Sequence, residues 1–354
     1  MDTTGTTTFV VLAVCATASA IMFRGNAKPS IYNDLVCQLP DGSGGVCRAA
    51  SDCPSVHSAE ACVARGLVCC PSATSPAPIT GVGIKSKQEC EKSAQLATVS
   101  ECPPIEMIPG KNVAVPGLFP YLAALGYGNL SDNKWYCAGV LVSESYVLTT
   151  AGCLNSSTLG IVQRVRLGDV DLTTPSDDEA VQVIDVEWVI PHPLYERKFK
   201  FHDVAVLHLD TPAELSSRVR PTCLNTLRQL PTNHAIITGF GAESFQSTDY
   251  GIARYVDVTE IPALQCQKTD PFRVRSYIKV NGSMICAADK YGGRDSCSGD
   301  SGGPLQVRLD KPHCQFSVAG LTSWGLVPCG LPGQPSMYTS IAEYLPWIES
   351  IVWP

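Results

Sequence analysis

A chain of 354 residues, 45% hydrophobic and only 17% charged, is long enough to bury one sizeable core plus a smaller module. Its formal net charge of −7, with no Lys/Arg run, excludes the basic footprint of a nucleic-acid binder and points to protein partners. With 29 glycines and 26 prolines, the chain should be rich in turns and short strands.

In chain order, residues 1–20 read as a secretion signal. Phe9 to Val14 is an apolar run, and Ala18-Ser19-Ala20 offers small residues for cleavage after Ala20. The run is too short to span a bilayer, and no later stretch is long enough, so no membrane association is expected. Of 17 cysteines, Cys15 falls in the signal, which leaves 16, an even number that fits an oxidising, extracellular compartment. Sequons at Asn129, Asn155 and Asn281 are candidate glycosylation sites in such a setting.

Six cysteines crowd residues 37–70: Cys37, Cys47, Cys53, Cys62, Cys69 and Cys70. So short a segment cannot build an adequate apolar core, and three bridges are expected to hold it, with fifteen connectivities open. Cys-x-x-Cys pairs and supporting histidines are missing (His57 stands alone), so neither a metal nor another cofactor is expected. Residues 71–107 read as a linker or pro-segment, with the Pro71 to Pro78 stretch extended by composition.

From residue 108 the pattern changes to short β-rich runs between turn residues. Tyr121–Leu125, Gly139–Leu141, Tyr146–Thr149, Val181–Val189, Val204–Leu209, Ala235–Gly239 and Phe316–Thr322 are predicted strands. Many short strands with Gly/Pro turns argue for an all-β barrel or sandwich. Ile341, Tyr344, Leu345, Ile348 and Ile351 then recur at helical spacing, which predicts a packing helix over 341–352 that Pro346 would enter early or kink.

The segment Asp295-Ser296-Cys297-Ser298-Gly299-Asp300-Ser301-Gly302-Gly303-Pro304 closely resembles the nucleophile loop of chymotrypsin-like serine proteases. The resemblance covers residues 108–354, with Pro116-Gly117-Leu118-Phe119-Pro120 near its start and Ser323-Trp324-Gly325 near its end. It implies a double β-barrel with a C-terminal helix, Ser301 as nucleophile and the Gly299 and Ser301 amides as oxyanion hole. It further implies Asp203 as the buried triad aspartate, and Asp295, Ser323, Gly325 and Ser336 as lining the specificity pocket.

Three positions depart from the family. Where it has Thr-Ala-Ala-His-Cys, this chain reads Thr149-Thr150-Ala151-Gly152-Cys153, so the resemblance puts Gly152 in the place of the catalytic histidine. His202 adjoins Asp203, but neighbours on an extended segment point in opposite directions. His57, His192, His208, His234 and His313 lie outside any catalytic motif. The activation cut would fall between Met107 and Ile108-Pro109-Gly110, where a trypsin-like activator finds no Arg or Lys. Ser336 replaces a pocket glycine and is expected to project beside Asp295.

The six-cysteine module, with adjacent Cys69-Cys70 before Pro71, resembles the clip domain of arthropod clip-domain serine proteases. Family connectivity implies Cys37–Cys69, Cys47–Cys62, Cys53–Cys70, Cys102–Cys223, Cys137–Cys153, Cys266–Cys286 and Cys297–Cys329. Cys90 and Cys314 are then left to pair, and together with Leu167 to Leu172 they look most like subgroup C. The resemblance implies a secreted haemolymph protein of the melanisation or Toll cascades. Its noncatalytic members act as cofactors or regulators whose partners are other clip-domain proteases or prophenoloxidase. The alternative is an active trypsin-like endopeptidase of the same cascade.

Overall fold

The computed structural model describes residues 35–38, 44–49, 67–71, 82–95, 112–128, 134–174, 180–242, 250–269, 282–289, 295–309, 315–325, 329, 331 and 334–354. Met107, Ile108, Asn129, Asn281, Cys102, Cys314 and the signal segment lie outside them, as do the bridges expected among the six amino-terminal cysteines. Within that cysteine-rich segment three strands, β1 (Leu35–Gln38), β2 (Gly44–Ala49) and β3 (Leu67–Pro71), pair antiparallel with β2 central.

The larger part of the chain is two sheets, each closed by antiparallel pairing. The first contains β5 (Leu122–Tyr127), β6 (Lys134–Ser143), β7 (Tyr146–Thr149), β8 (Asn155–Ser156), β9 (Gly160–Leu167), β10 (Gln182–Pro191) and β11 (Ala205–Leu209), after a short β4 (Asn112–Val113). Its order is β10-β11-β7-β6-β5-β9-β8, and β10 returns to β9, so a ring forms with β8 as a flap. The second contains β12 (Cys223–Leu224), β13 (His234–Gly239), β14 (Arg254–Glu260), β15 (Met284–Ala288), β16 (Pro304–Arg308), β17 (Phe316–Trp324) and β18 (Ser336–Ser340). Its order is β12-β17-β16-β13-β14-β15-β18, closed by β17 against β18, with β4 added to β14 and β12 added parallel to β17 at the edge. This is the all-β chymotrypsin-like double barrel.

The strands form where the sequence packs on both sides. Every residue of β5 is buried, and so is every residue of β17 except Trp324. Leu125, Leu141, Leu148, Leu207, Leu305 and Leu321 are among the fully buried side chains, each contributing about 1.5–3 kcal/mol by leaving water. Between the barrels Phe119 packs on Phe316 and Tyr255, with ring centroids 5.1 and 5.6 Å apart. The Ala138 amide on β6 also donates to the Ser301 carbonyl at 2.8 Å, so the nucleophile loop is anchored across the seam.

The predicted C-terminal helix is present as α2 (Ile341–Val352), which in chain order follows a first helix, α1 (Ile84–Gln95). Ile341, Tyr344, Leu345 and Ile348 bury the inner face of α2, and Pro346 lies on its exposed face without ending it. Helix α1 arises inside the segment read as a linker. Its N-terminus is capped by the Glu349 carboxylate of α2, which accepts from the amides of Gly83 (3.1 Å) and Ser86 (2.8 Å) and from the Ser86 hydroxyl (2.8 Å). Ser93 donates to the Pro221 carbonyl at 2.6 Å.

This docking corrects two expected disulfides. Packing of α1 beside β12 brings Cys90 to Cys223, with S–S 2.02 Å and Cα–Cα 4.6 Å. Cys223 is therefore taken, and neither Cys102–Cys223 nor Cys90–Cys314 forms. Cys137–Cys153, Cys266–Cys286 and Cys297–Cys329 are bonded as the resemblance implies. Among the described residues no helix is long and apolar enough to cross a membrane.

Candidate active-site cleft

The cleft is assembled from loops at the seam of the two barrels. Asp203 follows a tight segment after β10 in which Lys200 and His202 both adopt left-handed backbone angles, φ 57° and 54°. Such angles cost a non-glycine residue about 1–3 kcal/mol each and persist only where the surroundings impose them. They deliver the Asp203 carboxyl to a fully buried position. One oxygen accepts from the Gly152 amide at 2.8 Å, and the other from the Ser323 hydroxyl at 2.6 Å. Burial pushes this carboxyl above the usual range, opposed by the Lys200 charge, the Ser323 hydroxyl and the Gly152 and Ala151 amides. Ser323, expected in the pocket wall, thus turns its hydroxyl to Asp203.

Gly152 sits in the short helical turn Ala151–Cys153, directly before the Cys137–Cys153 bridge. A Cβ built there would lie 2.7 Å from Lys200 Nζ, 3.4 Å from the Tyr195 hydroxyl and 3.5 Å from Asp203 Oδ1. The space beside Asp203 is therefore filled from the 192–202 loop, and Lys200 Nζ stands 4.0 Å from Asp203 Oδ2. Sequence reasoning missed Lys200 and Tyr195. Their only signal was a basic residue three before the aspartate.

The four described histidines are engaged elsewhere. The His192 and His202 rings stack 5.0 Å apart, and the Tyr344 hydroxyl lies 3.2 Å from His202 Nδ1. His208 meets Glu187 at 2.8 Å, and His234 meets Asp257 at 3.2 Å. Burial, with the His202 charge, lowers His192 to about 4.

The nucleophile loop is held by Asp300, whose carboxylate accepts from the Gly241 and Cys297 amides, both at 2.8 Å. Gly302, at φ 82°, lies so close to the Ala138 carbonyl that no Cβ fits, which fixes the turn carrying Ser301. The Gly299 and Ser301 amides and the Ser301 hydroxyl make no hydrogen bond to any described residue.

In the pocket beyond, Asp295 is buried and Oδ1 accepts from the Ser296 amide and the Ser336 hydroxyl, both at 2.7 Å. Ser336 on β18 is fully buried, and its Oγ lies only 2.6 Å from where a Cβ on Gly325 would be. Asp295, Gly325 and Ser336 therefore come together, with the serine hydroxyl bonded to one carboxylate oxygen. No group of three metal-ligating side chains occurs among the described residues.

Two closed barrels with a half-buried serine on its loop, a buried aspartate and a pocket carboxylate at their seam define a trypsin-type serine-protease domain. The trypsin family model matches residues 108–348. The chain is 32% identical to serine protease snk of Drosophila melanogaster over 93% of its own length and 81% of that protein's. It is 33% identical to phenoloxidase-activating factor 3 of Holotrichia diomphalia, covering 67% of this chain and 70% of that one. It is also 31% identical to CLIP domain-containing serine protease B4 of Anopheles gambiae, covering 66% and 67% respectively. The chain belongs to the trypsin family and, within it, to the arthropod clip-domain serine proteases.

Proposed function

We propose that this chain is a secreted, noncatalytic clip-domain homologue that acts as a cofactor or regulator in an extracellular proteolytic immune cascade. The observation that carries the reading is Gly152. The residue beside Asp203 has no side chain, and the Lys200 ammonium occupies the adjoining space. An ammonium donates and cannot accept the Ser301 proton, and a serine hydroxyl without a base is a poor nucleophile. By the subtilisin precedent, loss of the base costs about 10^6 in turnover, or roughly 8 kcal/mol.

Other features support the same reading. Asp300 finds its donors in backbone amides, and Ser336 caps Asp295. The amino-terminal signal, the cysteine-rich segment as a clip domain, and the sequons support an extracellular life, with Asn155 exposed on β8. The similarity to a phenoloxidase-activating factor suggests that the partners are prophenoloxidase or the proteases that process it.

The test has two arms. The purified protein, before and after linker cleavage, is offered Arg and Lys peptide substrates. It is also added to prophenoloxidase with its activating protease. No turnover, together with a changed phenoloxidase yield, is expected. Hydrolysis that Ser301→Ala abolishes would establish an active trypsin-like endopeptidase instead.

A further inference from the structure

We propose that Lys200 is the built-in counter-ion of Asp203, taking the place of an imidazole, and that Gly152 is the residue that admits it. The proposal rests on the noncatalytic reading in one respect: it explains how the aspartate stays buried in a cleft with no base at position 152.

Asp203 poses an electrostatic problem. Its side chain is fully buried, and an ionised carboxyl there loses the solvation that water would give. Its hydrogen bonds come from neutral donors, the Gly152 amide and the Ser323 hydroxyl, which orient the charge but do not cancel it. From β18 the Thr339 hydroxyl donates to the Asp203 main-chain carbonyl instead. The neighbouring His202 turns to Tyr344 and His192. Tyr195 stays neutral, because burial and the Asp203 charge push its hydroxyl above its ordinary range. Among the described residues Lys200 alone brings a positive charge within ion-pair distance, with Nζ 4.0 Å from Oδ2. At that separation the attraction near a protein surface is about fourfold stronger than in bulk water. Burial pushes the carboxyl up, and the Lys200 charge is the largest of the influences that hold it down.

The local fold aims the lysine. Lys200 takes its left-handed backbone in a small hairpin, where its amide donates to the Glu196 carbonyl at 2.7 Å and the Glu196 amide to the Phe201 carbonyl at 3.0 Å. Its side chain is 33% exposed, so water is within reach, yet Nζ lies 2.7 Å from where a Cβ on Gly152 would be. The end of a flexible side chain can swing away from such a carbon, but only by giving up its approach to Asp203. Glycine at 152 and lysine at 200 are therefore a matched pair.

The test is equilibrium denaturation of the intact, disulfide-bonded protein across pH, which needs no substrate. Lys200→Met keeps the length and removes the charge. The folded-state Asp203 then rises further above 3.8, so the variant loses more stability than wild type as pH climbs through that interval. At about pH 7.5 its unfolding constant should be about tenfold higher, the equivalent of one added pKa unit, and near pH 4 the two proteins should agree within about twofold. Gly152→Ala should show a smaller gap that closes in the same way, and Lys200→Met should cost nothing when Asp203 is already Asn. A gap that is independent of pH, or that persists beside Asp203→Asn, would give Lys200 a packing role only and overturn the proposal. A Gly152→Ala profile coinciding with wild type would overturn the matched pair. The pH comparison leaves Asp203 in place, so a folding defect in Asp203→Asn cannot obscure it. Turnover that Ser301→Ala abolishes would overturn the noncatalytic reading and leave a measured coupling standing. An inert protein without the coupling overturns this proposal alone.

Discussion

Ser336 sets a buried hydroxyl against the Asp295 carboxylate without disturbing the barrel. The serine is fully buried on β18, and its 2.7 Å bond satisfies a carboxylate that would otherwise be costly to bury. In the wild-type protein benzamidine, a small arginine-like cation, should give no measurable shift in melting temperature. Ser336→Gly opens the space beside Gly325 and removes one donor from Asp295 Oδ1, so millimolar benzamidine should stabilise that variant by a degree or more. Failure of the variant to bind would place the block elsewhere. A second residue-scale consequence concerns His192, packed on His202, Tyr344 and Trp347. Burial lowers it from 6.5 to about 4, so between those values the unfolded chain holds more protons than the folded one. Stability from this group is complete above pH 6.5 and is lost as pH falls toward 4. Chemical denaturation at a series of pH values should show that decline, and His192→Phe should flatten it.

At the scale of elements, α1 is the part the sequence concealed. Its twelve residues, Ile84–Gln95, carry few large apolar side chains, so periodicity gave no helix signal. The helix exists because partners distant in sequence hold it: Glu349 at its N-terminus, Ser93 on the Pro221 carbonyl, and the Cys90–Cys223 bridge. Missing the helix also misdirected the cysteine pairing, which rested on family connectivity and on the pair left over. Proteases need an extended substrate, and Lys85, Lys87 and Lys92 all lie within α1. They should therefore resist a lysine-specific protease in the native protein. Glu349→Ala leaves the Gly83 and Ser86 amides without their acceptor, a loss of about 1–3 kcal/mol to the helix. Cleavage at these lysines should then accelerate several-fold. A cut at Lys85 or Lys87 falls before Cys90 and should release the amino-terminal piece on a nonreducing gel. A cut at Lys92 should leave it attached through Cys223. Equal cleavage of both proteins would show that the cap does not hold the helix.

For the molecule as a whole, most of the double barrel was legible from residue types. Alternating and continuous apolar runs predicted β5, β7, β11, β13 and β17 to within a residue or two, and the spacing of Ile341, Tyr344, Leu345 and Ile348 predicted α2. Strands such as β9, β14 and β18 escaped because polar residues break their apolar pattern, Arg164 inside β9, Asp257 inside β14 and Thr339 inside β18. In the cleft, the loop from Asp295 to Pro304 announced Ser301, Gly299 and Asp295 by motif. Lys200 and Tyr195 could not be read, since only the left-handed turn at Lys200 and His202 brings them to Gly152. The central claim is that the barrels are retained while Ser301 has no base, and labelling with a fluorophosphonate probe tests it most directly. An activated serine reacts stoichiometrically within minutes, whereas an unactivated one does not. The expected result is no label on the native protein with or without linker cleavage, beside full labelling of trypsin. Stoichiometric labelling that disappears in Ser301→Ala would contradict the account.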